Sequence, residues 1–268
     1  MSETTRLDVA LVQRGLARSR TRAHELVRAG EVTVDGKPAG KNSLQVSPDA
    51  LVEVTSGRDR WVGRAAGKLL GALEAFDVDV SGRRCIDVGA CTGGFTQVLL
   101  ERGADHVLAL DVGHDQLAPQ IAGDHRVTDL SGTTVRGLTP AAIGGPVDLA
   151  VGDLSFISLR LVLPEIASLL TAEGEAVLLI KPQFEVGRHR LGRRGVVTDP
   201  AARWEAILAV LAGAGDAGVA VLGLTRSPLR GGQSNQEYLV HLTRQPGVGL
   251  AWQAQQVMAK QLAYEEAE

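Results

Sequence analysis

The chain has 268 residues, 44% of them hydrophobic and 22% charged, with a formal net charge of −3. Those values fit a globular protein of one large domain, or of a small one joined to a larger one. No apolar run reaches the roughly 18 residues that a bilayer span needs, and the start MSETTRLDVA lacks a basic stretch followed by an apolar core. A cytoplasmic protein without a membrane partner is therefore expected.

The charge is unevenly spread: residues 1–68 hold 12 Lys and Arg against 8 Asp and Glu. A polyanion would dock at this basic end, although charge alone equally describes a solvated face. Along the chain, Leu7, Ala10, Leu11 and Leu16 follow a near-helical spacing that Gly15 breaks. Ser19 can cap a second helix through Thr21–Val27, and Gly30 ends it. Val32–Val34 alternates as a strand into an Asp35-Gly36 turn, a hairpin signal, and Leu51–Val54 supplies another strand. Residues 1–56 thus read as a small α+β unit, and 57–63 as a linker to a larger domain, 64–268. That domain opens with an amphipathic helix, Ala65 to Phe76, carrying Leu69, Leu73 and Phe76 on one face.

From residue 82 the pattern becomes strand, loop, helix, repeated. RRCIDVG, HVLALDVG, RVTDL, VDLAVGDLSF, EAVLLIKP, VAVLGLTRSP and EYLVHLTR predict seven strands of a mostly parallel, doubly wound sheet of Rossmann-like α/β class. The apolar first strands suit burial on both faces. Residues 251–268 read as one exposed helix rich in alanine and glutamine. The connection from Glu185 to Asp199, with Arg188, Arg190, Arg193 and Arg194, is too long and basic for an ordinary αβ loop. It either closes over a polyanion or lies in solvent.

The string Asp87-Val-Gly89-Ala-Cys-Thr-Gly93-Gly94-Phe95 follows the first strand and opens a helix, where such sheets bind nucleotides. Its spacing is G-x-x-x-G-G, so the pyrophosphate fingerprint G-x-G-x-x-G is absent. Carboxylates stand about it instead. Asp111 ends the next strand, placed to accept ribose hydroxyls, and Asp129, after the third strand, is either a contact to the adenine amino group or a turn residue. A sulfonium cofactor without phosphate, S-adenosyl-L-methionine, suits that charge pattern. Asp87, Gly89, Ala90, Thr92, Gly93, Gly94, Phe95, Asp111 and Asp129 are the candidate contacts. Cys85 and Cys91 form neither a disulfide framework nor a zinc spacing, and no metal is expected.

Lys68, Asp153, Lys181 and Glu237 are the candidate reaction centre. Asp153 and Lys181 end the fourth and fifth strands and open onto the same carboxyl-end crevice, and Glu237 begins the last strand. A lysine after the apolar run AVLLI is poorly solvated, which favours its neutral, proton-accepting form, while nearby carboxylates oppose that shift. Lys181 is the candidate base for a hydroxyl attacking a methyl group, with Lys68 orienting the hydroxyl or steadying the oxyanion and the carboxylates holding both lysines. A purely structural ion-pair network is the competing reading. Phe156 is placed to stack on an unpaired base or to pack in the core.

Two resemblances sharpen these readings. LARSRTRAHELVRAGEVTVDGKPAGKNSLQVSPDALVEV resembles the RNA-binding domain first known from small-subunit ribosomal protein four. That implies RNA contacts from Arg18, Arg20, Arg22, Arg28 and Lys41; Arg64, Phe156, Arg188 and Arg190 are the candidates in the larger domain. GRAAGKLLGALEAF, DVGACTGGFTQVLLERGA, DLSFISL, KPQFEVG, GVVTDP and SPLRGGQSNQEYLV resemble the TlyA family of ribosomal RNA 2′-O-methyltransferases, whose catalytic domain is similar to the FtsJ group. The resemblance implies a Lys-Asp-Lys-Glu tetrad at Lys68, Asp153, Lys181 and Glu237. It also implies 2′-O-methylation of cytidine in the RNA of both ribosomal subunits. The sequence departs from the family at Asp129–Thr134 and in the CTGG of the glycine loop. A base-amino methyltransferase would carry an N/D-P-P-aromatic string where this chain has Asp-Leu-Ser-Phe. A non-catalytic ribosome-binding factor would keep the fold without turnover, and a haemolysin lacks a physical route to lysis here.

Overall fold

The computed structural model describes residues 4–17, 19–54, 60–187, 190–231 and 234–265. Two compact units emerge, Met1–Val62 and Gly63–Glu268. Part of the expected linker, residues 57–59, lies outside the described residues.

The smaller unit runs β1 (Thr5–Arg6), α1 (Leu7–Gln13), α2 (Arg20–Arg28), β2 (Val32–Val34), β3 (Lys37–Pro38), β4 (Gln45–Val46) and β5 (Val52–Val54). Ser19 caps α2, its Oγ accepting from the Arg22 N–H at 3.2 Å. The Asp35-Gly36 turn has both residues at positive φ, as a tight two-residue hairpin requires. β2 pairs with β3 across that turn and with β5 on its other edge, while β1 and β4 form a separate antiparallel pair. Leu7, Leu11, Leu26 and Val32 fill a core with no exposed surface. Two-residue strands such as β1 and β4 carry no period, so the sequence could not announce them.

The larger unit continues α3 (Ala66–Phe76), β6 (Arg84–Val88), α4 (Gly94–Glu101), β7 (His106–Asp111), α5 (Pro119–Ala122), β8 (Val127–Ser131), β9 (Val147–Gly152), α6 (Leu163–Leu169), β10 (Leu170–Ile180), α7 (Pro182–Glu185), α8 (Pro200–Asp216), β11 (Ala220–Arg226), β12 (Tyr238–Thr243) and α9 (Trp252–Tyr264). All seven expected strands join one sheet, ordered β11-β12-β10-β9-β6-β7-β8. β6 pairs in parallel with both β7 and β9, and β12 runs antiparallel to β10 and β11. The central strands are buried along most of their length, as their apolar runs foretold.

Two expectations need correcting. Asp129 does not follow its strand: it sits within β8, opposite Ala109, and the strand runs on to Ser131 because Leu130 and Ser131 keep pairing with β7. The terminal helix is not wholly exposed. Ala259 and Ala263 are fully buried in the main core, and Arg203 and Arg226 donate to the carbonyls of Ala263 and Leu262. Its buried face is built from alanine, which allows close approach but leaves only a weak apolar stripe in the sequence.

Candidate active site

The glycine loop after β6 turns on Gly89 and Gly93, both at φ +89. A Cβ at Gly89 would stand 3.3 Å from the Asp153 carbonyl oxygen, and one at Gly93 would press on Ile121 and Leu117. The loop therefore packs closely on the chain after β9 and on α5, and α4 starts from it. Asp87 lies beneath the loop: its Oδ2 accepts from the Thr96 N–H at 2.9 Å and from Thr96 Oγ1 at 2.7 Å. Burial pushes the Asp87 carboxyl up to about 7 against those two bonds. Asp87 thus touches the first turn of α4. Asp111 ends β7 and reaches back, its Oδ2 accepting from the Cys91 N–H at 2.8 Å. Asp129 is exposed and folds onto its own strand, accepting from the Ser131 N–H at 2.8 Å.

A crevice of about 320 Å³ opens between this loop and the sheet, lined by Gly89, Ala90, Thr92, Gly94 and Phe95 with Arg64 on its wall. Cys91 lines it too and is exposed, whereas Cys85 is buried and its thiol is pushed up to about 12 by burial.

The four tetrad candidates meet at the floor of the same crevice. Lys68, from the first turn of α3, donates to Glu237 Oε2 at 2.7 Å and to Asp153 Oδ2 at 3.0 Å. Lys181 pairs with Asp153 Oδ1 at 2.6 Å and donates to Ser155 Oγ at 2.7 Å. All four side chains are at most 14% exposed. Two cations and two carboxylates balance, which such burial requires. Burial raises the Asp153 carboxyl, but Lys68 and Lys181 outweigh it and hold it below the usual carboxylate range. Glu237 needs the bare backbone of Gly231 beside it, since a Cβ there would collide with its carboxylate.

Beyond Lys181 a second, outer cavity of about 700 Å³ is lined by Ser155, Phe156, Phe184, Arg194 and Asn235 and shares Lys181 and Glu237 with the inner crevice. Phe156 is 92% exposed at φ +64, so it is not a core residue, and its ring lies 5.3 Å from that of Phe184. Asn235 stitches the basic connection in place, accepting from the Val197 N–H and donating to the Gly195 carbonyl, both at 3.0 Å. Arg190 pairs with Glu205. Arg18 and Arg188 lie outside the described residues, as does the side chain of Arg193.

In the smaller unit, Arg20, Arg22 and Arg28 stand on α2, and Lys41 is exposed in the loop before β4. Sequence reasoning missed the acid that gathers Arg20 with two further basic side chains. The fully buried carboxylate of Asp8 binds Arg6 at 3.0 Å, Arg20 at 2.7 Å and His24 at 3.0 Å. The signal was an acid at the start of an apolar helix stripe, among basic neighbours. Ser155 and Asn235 were missed as well, because neither belongs to a spaced motif.

A seven-stranded sheet with one reversed strand, a glycine loop without the pyrophosphate spacing and a buried charge tetrad at the carboxyl ends defines a Rossmann-like methyltransferase. The FtsJ-like methyltransferase family matches residues 61–244, and the S4 domain family matches residues 5–52. The chain is 52% identical over 246 residues to the 16S/23S rRNA (cytidine-2'-O)-methyltransferase TlyA of Mycobacterium tuberculosis, covering 91% of this chain and 92% of that one. It is 31% identical to the 23S rRNA (cytidine-2'-O)-methyltransferase TlyA of Campylobacter jejuni, covering 86% and 96%. A solved structure from Streptococcus thermophilus, described as a candidate hemolysin, shares 34% identity and a TM-score of 0.72 over 97% of this chain and 96% of that one. The chain belongs to the TlyA family of FtsJ-like methyltransferases. As to the hemolysin label, no helix among the described residues is long and apolar enough to cross a membrane.

Proposed function

We propose that this protein methylates the 2′-hydroxyl of cytidine in ribosomal RNA of both subunits, using S-adenosylmethionine, with Lys68, Asp153, Lys181 and Glu237 as its reaction centre. The observation that carries the reading is Lys181, paired with Asp153 and standing where the inner crevice meets the outer cavity.

Residues 1–56 are read as the RNA-binding domain, 57–63 as a linker and 64–268 as the catalytic domain. The crevice beside the glycine loop is read as the S-adenosylmethionine site. Gly89 and Gly94 line it, Gly93 shapes the loop, Asp111 stands at the end of β7 for ribose hydroxyls, and Asp129 is left as a weaker contact. When bound there, S-adenosylmethionine supplies an electrophilic methyl group on sulfur. The outer cavity admits a nucleoside, with Phe156 as a stacking platform.

An alcohol must lose its proton as it attacks carbon. Lys181 Nζ, where the inner crevice meets the outer cavity, is placed to accept that proton. Asp153 orients Lys181 and Lys68 together, from its two oxygens. Lys68, locked between Asp153 and Glu237, steadies the developing alkoxide. Ser155 fixes the Lys181 amine in direction. Arg6, Arg20 and the neighbouring cations of the smaller unit position RNA by its phosphates and do not read sequence.

The test is transfer of labelled methyl from S-adenosylmethionine to unmodified small and large subunits, followed by nucleotide mapping. Label on a ribose 2′-oxygen of cytidine is expected from each subunit; label on a base amine would overturn the reading. A second expectation concerns the thiols. An alkylating reagent should modify Cys91 and spare Cys85, and S-adenosylhomocysteine should protect Cys91; peptide mass mapping with and without that ligand checks it.

A further inference from the structure

We infer that Glu185 is a positioning residue that holds Phe156 out as the platform for the target nucleoside; this rests on the assignment of the outer cavity to RNA. The Glu185 side chain is only 1% exposed. Its carboxylate accepts from Ser158 Oγ at 2.6 Å and from the Leu159 N–H at 2.7 Å, with Arg160 Nε at 3.6 Å. Burial raises the Glu185 carboxyl while the bonds from Ser158 and Leu159 oppose it. A carboxylate is buried at a cost, and what this one secures is the far end of the segment that carries Phe156.

That segment cannot hold itself. Phe156 sits at φ +64, a strained conformation for a bulky aromatic, and gains almost no burial from it at 92% exposure. Its near end is fixed by Asp153 and by Ser155, both bound to Lys181. Its far end is fixed by Glu185. Phe184, the residue before Glu185, sets its ring 5.3 Å from that of Phe156 at a tilt of 45°. A single short turn, Lys181 to Glu185, therefore supplies the candidate base, the flanking ring and the anchor, and fixes platform and base relative to each other. Neither Glu185 nor Ser158 lines the inner crevice. Loosening the anchor should thus disturb RNA engagement and leave cofactor binding alone.

The experiment is steady-state methylation of unmodified ribosomal subunits by the full chain, with S-adenosylhomocysteine affinity measured by calorimetry on each variant. Glu185→Ala is expected to raise the KM for subunits about tenfold, the scale of lost hydrogen bonds to a charged acceptor, with unchanged affinity for S-adenosylhomocysteine. Glu185→Gln keeps an oxygen for the Leu159 N–H and an amide for Ser158, and should recover most of that loss. The double variant Phe156→Ala with Glu185→Ala should be no worse than Phe156→Ala alone, because both act through one ring. Independent, multiplying effects would overturn the inference, as would a normal KM in Glu185→Ala beside a raised one in Phe156→Ala. A normal KM in Phe156→Ala sinks the RNA assignment of the cavity instead, and this inference with it. Should Glu185→Ala lose its fold, Ser158→Ala carries the test: a KM raised by about threefold supports the anchor, and an unchanged one overturns it.

Discussion

Lys181→Ala lowers kcat for methyl transfer by roughly 10²- to 10⁴-fold, the usual contribution of a positioned general base, while affinity for S-adenosylmethionine stays near that of the parent. The substitution deletes the amine between the crevice and the outer cavity, and the Asp153 it leaves still has Lys68 at 3.0 Å. The fold should therefore survive. Lys181→Arg separates the two roles that a lysine can play. A guanidinium keeps the ion pair with Asp153 but cannot lose its proton at any working pH. If Lys181 is the base, the arginine variant is as inactive as the alanine one although its charge network is intact. Substantial activity in Lys181→Arg would reduce Lys181 to an electrostatic role. Single-turnover rates on pre-bound subunits are the measurement, since they isolate chemistry from product release.

Removing residues 1–62 should weaken binding to ribosomal subunits by about 10²-fold or more near physiological salt, and flatten its salt dependence. Arg6, Arg20 and His24, gathered on Asp8, and the exposed Arg28 and Lys41 go with that unit. Each phosphate neutralised contributes close to one unit of slope in a plot of log affinity against log salt. Loss of three or four such contacts should therefore take away about three units of slope. Affinity for S-adenosylhomocysteine should persist, because the crevice lining begins at Gly63. Fluorescence anisotropy on subunits across a salt series gives both numbers. An unchanged slope would show that the smaller unit contacts no phosphate.

The sheet was legible in the sequence because buried parallel strands must be apolar runs, and the seven runs stood between clear breakers. The tetrad was legible for a different reason. Asp153, Lys181 and Glu237 flank strands of one sheet, so topology carries them to one rim. What stayed hidden depends on side-chain reach. Nothing in the spacing of Ser158 and Glu185 says that they touch. Asp8 looked like an ordinary first-turn acid until Arg6, Arg20 and His24 closed on it. Asp129 was misplaced by two residues because strand ends are set by pairing with a neighbour, which a single strand's composition does not record.

β12 enters the sheet last and lies between β10 and β11, bringing Glu237 to Lys68 across 169 residues of chain. A polypeptide that ends before this strand leaves a gap in its sheet and buries two lysines against one carboxylate. Such a product fails structurally and chemically at once. Synthesis must therefore pass Thr243 before the protein can act on any ribosome, including the one still making it.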